Sequence, residues 1–140
     1  MNDLLNDLLA TLLFAVLGMG LLTLGYAVVD LLTPGHLGRK VFVDHNRDAS
    51  LVLGSSLLAL GGIIATSIYT TESDTWHTLL EAGAHGLIGI VLLGVAFLVL
   101  DLATPGRLGD LVTDEKDDPA VWVIVASQFA VGLIIAASLT

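Results

Sequence analysis

The dominant pattern along the chain is four long runs of apolar residues separated by short polar stretches. The runs cover residues 4–32, 49–70, 76–103 and 119–140. At 1.5 Å per residue, even the two shorter runs reach about 33 Å as helices, enough to cross a hydrocarbon core of about 30 Å. In lipid, a helix satisfies its own backbone hydrogen bonds, which an open strand does not. The pattern therefore predicts an all-α integral membrane protein with four transmembrane helices.

Proline and glycine mark the ends of two of these runs. Thr33-Pro34-Gly35 follows the first run, and Thr104-Pro105-Gly106 follows the third. Because proline disfavours helix at the residue before it, each motif predicts a helix end. At the start of the fourth run, Asp118 and Pro119 are typical of a helix N-cap and of the first helical position, respectively.

The two halves of the chain share a motif at a spacing of 71 residues. Residues 30–38 read Asp-Leu-Leu-Thr-Pro-Gly-His-Leu-Gly, and residues 101–109 read Asp-Leu-Ala-Thr-Pro-Gly-Arg-Leu-Gly. We infer a tandem repeat of a two-helix unit, with residues 1–71 as the first copy and 72–140 as the second, together forming one membrane domain. An even number of spans per copy gives both copies the same orientation, so this is a parallel repeat with a pseudo-twofold axis along the membrane normal.

Composition and charge narrow the class further. Hydrophobic residues make up 55% of the chain and charged residues only 14%, which leaves too little polar surface for a soluble domain of 140 residues. The net charge of −9 argues against nucleic acid, and against anionic lipid headgroups, as main partners. An excess of acidic residues is typical of proteins in very salty cytoplasm, so we expect a halophilic source. Cysteine is absent.

The basic residues predict the orientation. Arg39, Lys40 and Arg47 lie between the first two spans, and Arg107 and Lys116 lie between the last two. Lysine and arginine favour the cytoplasmic side of a membrane. We therefore expect a multi-pass protein of the plasma membrane, with both repeat loops in the cytoplasm and with the N- and C-termini outside.

The chain resembles the YjfL-type membrane proteins of bacteria and archaea, which are grouped as domain of unknown function 350. The resemblance covers the whole chain and rests on the two-fold repeat of two spans, on Thr-Pro after the first and third spans, and on Asn46-x-x-Ala49 at the start of the second. Asn46 is not repeated, because Asp117 stands at the equivalent position, so any role of Asn46 is confined to one copy. The resemblance implies a small four-span membrane protein without an assigned activity.

Asp30 and Asp101 are ionisable residues near the ends of the first and third spans. A negative charge there opposes the helix macrodipole and is costly within hydrocarbon. Two roles are open. The carboxylates face each other across the pseudo-twofold axis and bind a cation or share a proton, or each lies at the interface, pairs with Arg39, Lys40 or Arg107, and helps the chain to turn. We favour the interfacial role because both residues lie close to the membrane boundary.

His77, Glu81 and His85 recur every four residues and therefore share one face of the third span. A histidine and a carboxylate one turn apart can bind a metal or relay a proton. His77 and His85 are about 12 Å apart along a helix, so one ion cannot bind to all three. We expect Glu81 and His85 to form hydrogen bonds inside the bundle or to reach external water, and we predict no metal site.

No nucleophile, base and orienting group can be assembled from the sequence, and no cofactor motif is present, so we predict neither an enzyme nor a cofactor. The leading hypothesis is a non-catalytic membrane protein that anchors or assembles a partner through its cytoplasmic loops. The alternative is a small channel or transporter for an ion or solute, with Asp30 and Asp101 at its inner mouth. The expected partners are the lipid bilayer and either further copies of the chain or another membrane protein.

Overall fold

The computed structural model describes residues 2–33, 35–70, 75–103 and 118–140. Within these ranges the chain is helical, with no strand: α1 (Asn2–Leu32), α2 (Leu37–Phe42), α3 (Arg47–Thr70), α4 (Thr75–Ala103) and α5 (Ala120–Ser138). All except the short α2 are long and apolar enough to cross a membrane. The prediction of an all-α membrane protein with four spans is confirmed.

The end of α1 is formed by the residues of its Thr-Pro-Gly motif. The helix ends at Leu32, and Thr33 bonds back to the carbonyl oxygen of Val29 through its N–H at 3.2 Å and its hydroxyl at 3.0 Å. Gly35 then adopts a φ of 94°, which a residue without Cβ tolerates and which turns the chain out of the helix. The second motif, residues 104–106, lies outside the described residues, and α4 is described as far as Ala103.

Two side chains cap the spans that follow the connections. Asn46 Oδ1 accepts a hydrogen bond from the N–H of Ala49 at 2.9 Å, so α3 begins at Arg47, two residues before the apolar run itself. Asp118 Oδ1 accepts from the N–H of Ala120 at 2.8 Å. The fourth span begins at Ala120, one residue later than the sequence predicts, and Pro119 before it already has helical dihedral angles (φ −57°, ψ −24°).

The spans alternate in direction, as successive passes through a bilayer must. Leu17, Leu21 and Leu32 of α1 lie closest to Gly83, Gly86 and Gly94 of α4, so these two helices run parallel. α3 and α5 are also parallel, since Ser55 contacts Gln128 and Ala59 contacts Gly132 one turn further along. The buried side chains form one cluster near the connections at α2 and another further along the bundle.

α3 and α4 form the centre of this bundle, and α1 and α5 lie on either side of them. α3 and α4 each pack against the other three spans, whereas α1 and α5 each pack against α3 and α4. Much of the N-terminal half of α1 is exposed, including Leu4, Leu8, Leu12 and Val16. The tandem repeat and its pseudo-twofold axis stay predictions.

Candidate functional site

Asp30 takes part in the turn that follows its own helix. Its Oδ1 accepts a hydrogen bond from the N–H of Gly38 at 2.7 Å, and its Oδ2 lies 3.5 Å from Nδ1 of His36. Of the three basic residues expected as partners, Arg39 is exposed, Lys40 lies 3.7 Å from Asp44, and Arg107 lies outside the described residues. The partners of the Asp30 carboxylate are therefore a backbone N–H and a histidine, and not the arginine or lysine that was predicted.

The backbone at Gly38 is closely packed against Tyr26 and lies beside Asp30. A Cβ added at Gly38 would collide with the hydroxyl of Tyr26 and lie 3.5 Å from Asp30 Oδ1. Glycine at position 38 leaves room for the Tyr26 hydroxyl beside the carboxylate, so the aspartate and the last glycine of the shared motif have a local structural explanation in the first half. The matching residues of the second half after Ala103 lie outside the described residues.

Asp30 and Asp101 are not level with one another in the bundle. A Cβ on Gly94 would lie between Leu32 at 3.2 Å and Val28 at 3.6 Å, which places Gly94 of α4 beside Asp30 of α1. Asp101 follows Gly94 by seven residues, so it lies about 10 Å further along the parallel helix. At that separation the two carboxylates cannot share one proton or one cation directly.

Asp48 is a buried carboxylate that sequence reasoning missed. It lies in the first turn of α3 with 5% of its surface exposed, and its Oδ2 accepts a hydrogen bond from the N–H of Asp118 at 2.9 Å. A carboxylate is favourable in the first turn because it faces the positive end of the helix dipole. In the sequence this residue resembles an ordinary N-terminal acid, and only the fold brings it to residue 118.

A second polar contact lies in the middle of the bundle. The hydroxyl of Ser55 on α3 donates to Oε1 of Gln128 on α5, and both residues are buried. The helices approach most closely one turn further on, where a Cβ on Gly132 would lie 2.7 Å from Cβ of Ala59. Small residues and amide groups commonly hold helices together in lipid. A lone glutamine in an apolar run was the available sequence signal.

The three residues of α4 that were considered for metal or proton binding differ in their exposure to solvent. His77 and Glu81 are exposed, while His85 is partly buried. His85 Nδ1 is shielded from solvent and has no hydrogen-bond partner among the described residues. Within those residues, no three histidine, aspartate or glutamate side chains are grouped closely enough to bind a metal ion.

The contacts described so far hold helices and connections together. Asp30 and Asp48 each accept from a backbone N–H, Asn46 caps α3, and Ser55 bonds to Gln128 across two spans. Asp101 lies partly exposed near the end of α4. The motif residues Pro34, Thr104, Pro105 and Gly106 lie outside the described residues.

Comparison with known proteins agrees with this picture of a small multi-span protein. The sequence model of the family described as Domain of Unknown Function (DUF350) matches residues 3–139. A UPF0719 transmembrane protein of Mycolicibacterium paratuberculosis is 35% identical over 140 residues, which is 100% of this chain and 93% of that protein. UPF0719 transmembrane proteins of Mycobacterium bovis and Mycobacterium tuberculosis are each 31% identical, over 100% of this chain and 92% of theirs. No solved structure matches the chain. The resemblance seen in the sequence is confirmed, and the chain belongs to the DUF350 family of membrane proteins.

Proposed function

We propose that this protein is a non-catalytic membrane component that anchors or assembles a partner through the two connections on one side of its bundle. The observation that carries the proposal is that buried or partly buried carboxylates of the protein accept hydrogen bonds from the backbone of the connections. Asp30 accepts from Gly38 in the first connection, and Asp48 accepts from Asp118 where the second connection ends. Both hydrogen bonds hold a connection against the spans, which gives the two carboxylates a structural role and supports a non-catalytic function.

The finer parts of the proposal concern orientation and symmetry. We place both connections in the cytoplasm, in the plasma membrane, with the N- and C-termini outside, because all five Lys and Arg residues lie in or beside these connections. We also propose that residues 1–71 and 72–140 arose as a tandem repeat, which the motif shared by residues 30–38 and 101–109 supports.

In-cell photocrosslinking tests the partner role. Photoreactive residues would replace Arg39 and Asp44, which are exposed in the first connection, and Tyr69, which is 89% exposed at the opposite end of α3. We expect a discrete crosslinked product from the first two positions and none from Tyr69. Products from Tyr69 alone, or from none of the three positions, would contradict a partner role for the connections.

The alternative function, an ion or solute pathway, needs Asp30 and Asp101 to act together. Two observations place it second. Asp30 is already bound to the N–H of Gly38, and the two carboxylates are displaced by about 10 Å along parallel helices. A pathway would have to use them one after the other and to break the Asp30 hydrogen bond in each cycle.

A further inference from the structure

Two large apolar side chains stand uncovered in the connection between α1 and α3. Phe42, the last residue of α2, is 70% exposed, and the next residue, Val43, is 64% exposed. The other apolar residues of the same helix behave differently, because Leu37 is buried and Val41 packs against the cluster around it. α2 therefore has an apolar side that the bundle covers and an apolar end that it does not.

The connection is held so that this end remains outside the bundle. Asp30 binds the N–H of Gly38 at the start of α2, and the N–H of Asn46 donates to the carbonyl oxygen of Lys40 at 2.9 Å. These two bonds fix the connection at both ends. Phe42 and Val43 thus lie within a few residues of the start of α3 at Arg47, where an apolar span leaves the hydrocarbon.

The charge of this segment is opposite to that of the whole chain. Residues 35–47 contain three of the five Lys and Arg residues, namely Arg39, Lys40 and Arg47, against a single acid, Asp44. The chain as a whole carries −9. Apolar side chains flanked by basic residues at the edge of the hydrocarbon are typical of segments that lie in the lipid interface. The expectation that anionic headgroups are not main partners was drawn from the net charge of the whole chain, and the charge of this segment has the opposite sign.

We propose that Phe42 and Val43 insert into the boundary between headgroups and acyl chains of the membrane the protein spans, with Arg39 and Lys40 beside the lipid phosphates. A protein is a poorer occupant, because a specific interface buries about 800 Å² on each partner and two side chains supply only part of that. We expect lipid, in contrast, to surround the ends of α1 and α3, because both helices are long and apolar enough to span a membrane. This placement is independent of any protein that the connections bind.

Depth-dependent fluorescence quenching in vesicles tests the placement. The full chain carries Trp76→Phe and Trp122→Phe to remove its two tryptophans, and Phe42→Trp then supplies a single reporter. The matched reference is Leu58→Trp in the same background, because Leu58 is 66% exposed in the middle of α3. Vesicles contain phosphatidylcholine with a fraction of phosphatidylglycerol, and with bromine either near the acyl carbonyls or near the chain ends.

We expect the Phe42→Trp indole to be quenched several-fold more by bromine near the carbonyls than by bromine near the chain ends. The Leu58→Trp indole should show the reverse order, which also establishes that the protein is inserted and folded. Strong quenching of the Phe42→Trp indole by aqueous iodide, without quenching by either lipid, would overturn the proposal and place the turn in water. Stronger quenching by bromine at the chain ends would overturn it too, since the side chain would then lie in the hydrocarbon.

Discussion

The contact between Gly132 and Ala59 makes a quantitative prediction about the α3–α5 interface. A Cβ at position 132 would lie 2.7 Å from Cβ and 3.1 Å from Cα of Ala59. Carbon atoms prefer separations of about 3.5–4.0 Å, so Gly132→Ala forces the two helices apart by about 1 Å. Neither atom of Ala59 can move by rotating a side chain, and the backbone must therefore shift.

Gly61 supplies a matched control for this substitution. It occupies the equivalent place in the Gly-x-Ile-Ile-Ala sequence of α3, and a Cβ there would meet nothing within 4 Å. Both Gly→Ala changes gain about 1 kcal/mol in helix propensity, so this contribution cancels in the comparison. Overpacking typically costs about 1–3 kcal/mol. We expect Gly132→Ala to be less stable than Gly61→Ala by that amount.

Steric trapping in lipid bicelles measures the free energy of unfolding of both variants and of the wild type. Gly61→Ala should be as stable as the wild type or slightly more stable, and Gly132→Ala should fall below it. Equal free energies for the two variants would refute the reasoning, because they would mean that α3 and α5 do not approach closely at Gly132.

Three further predictions concern the connections and their orientation. Asp48→Ala removes a buried hydrogen-bond acceptor and should lower the free energy of unfolding, measured by steric trapping, by about 1.5–3 kcal/mol. Its control, Asp44→Ala, removes only an exposed ion pair and should change the same free energy by less than about 1 kcal/mol. Asn46→Ala removes the α3 cap and should cost about 0.5–2 kcal/mol in the same assay, and a value near zero would contradict the capping role. Because the chain has no cysteine, a membrane-impermeant maleimide should label Tyr69→Cys in intact cells and Arg39→Cys only after permeabilisation; the opposite result would reverse the proposed orientation.

The number and ends of the spans could be predicted because they depend on local sequence. Crossing the hydrocarbon requires about 20 apolar residues, and the proline after Thr33 disfavours helix at the residue before it. The short helix α2 was not predicted, since six residues give no usable periodicity. Its position depends on Leu37 packing against residues far away in the chain.

The site was harder to predict because its contacts join distant residues. The sequence marked Asp30 as a candidate site residue. Its hydrogen bond to the N–H of Gly38, however, depends on the conformation of the turn that packs against Tyr26. Asp48 and Gln128 resembled an ordinary first-turn acid and an isolated polar residue until the fold placed them against Asp118 and Ser55. The displacement of Asp101 from Asp30 follows from the axial offset between α1 and α4. No local sequence pattern predicts this offset.

Ion flux into proteoliposomes tests most directly the central claim that the carboxylates serve structure and not transport. The wild type would be compared with the double variant Asp30→Asn, Asp101→Asn at matched insertion, under gradients of Na⁺, K⁺ and H⁺. We predict no flux above that of empty liposomes for either protein. Flux through the wild type that disappears in the double variant would contradict the account and assign the two aspartates to a pathway.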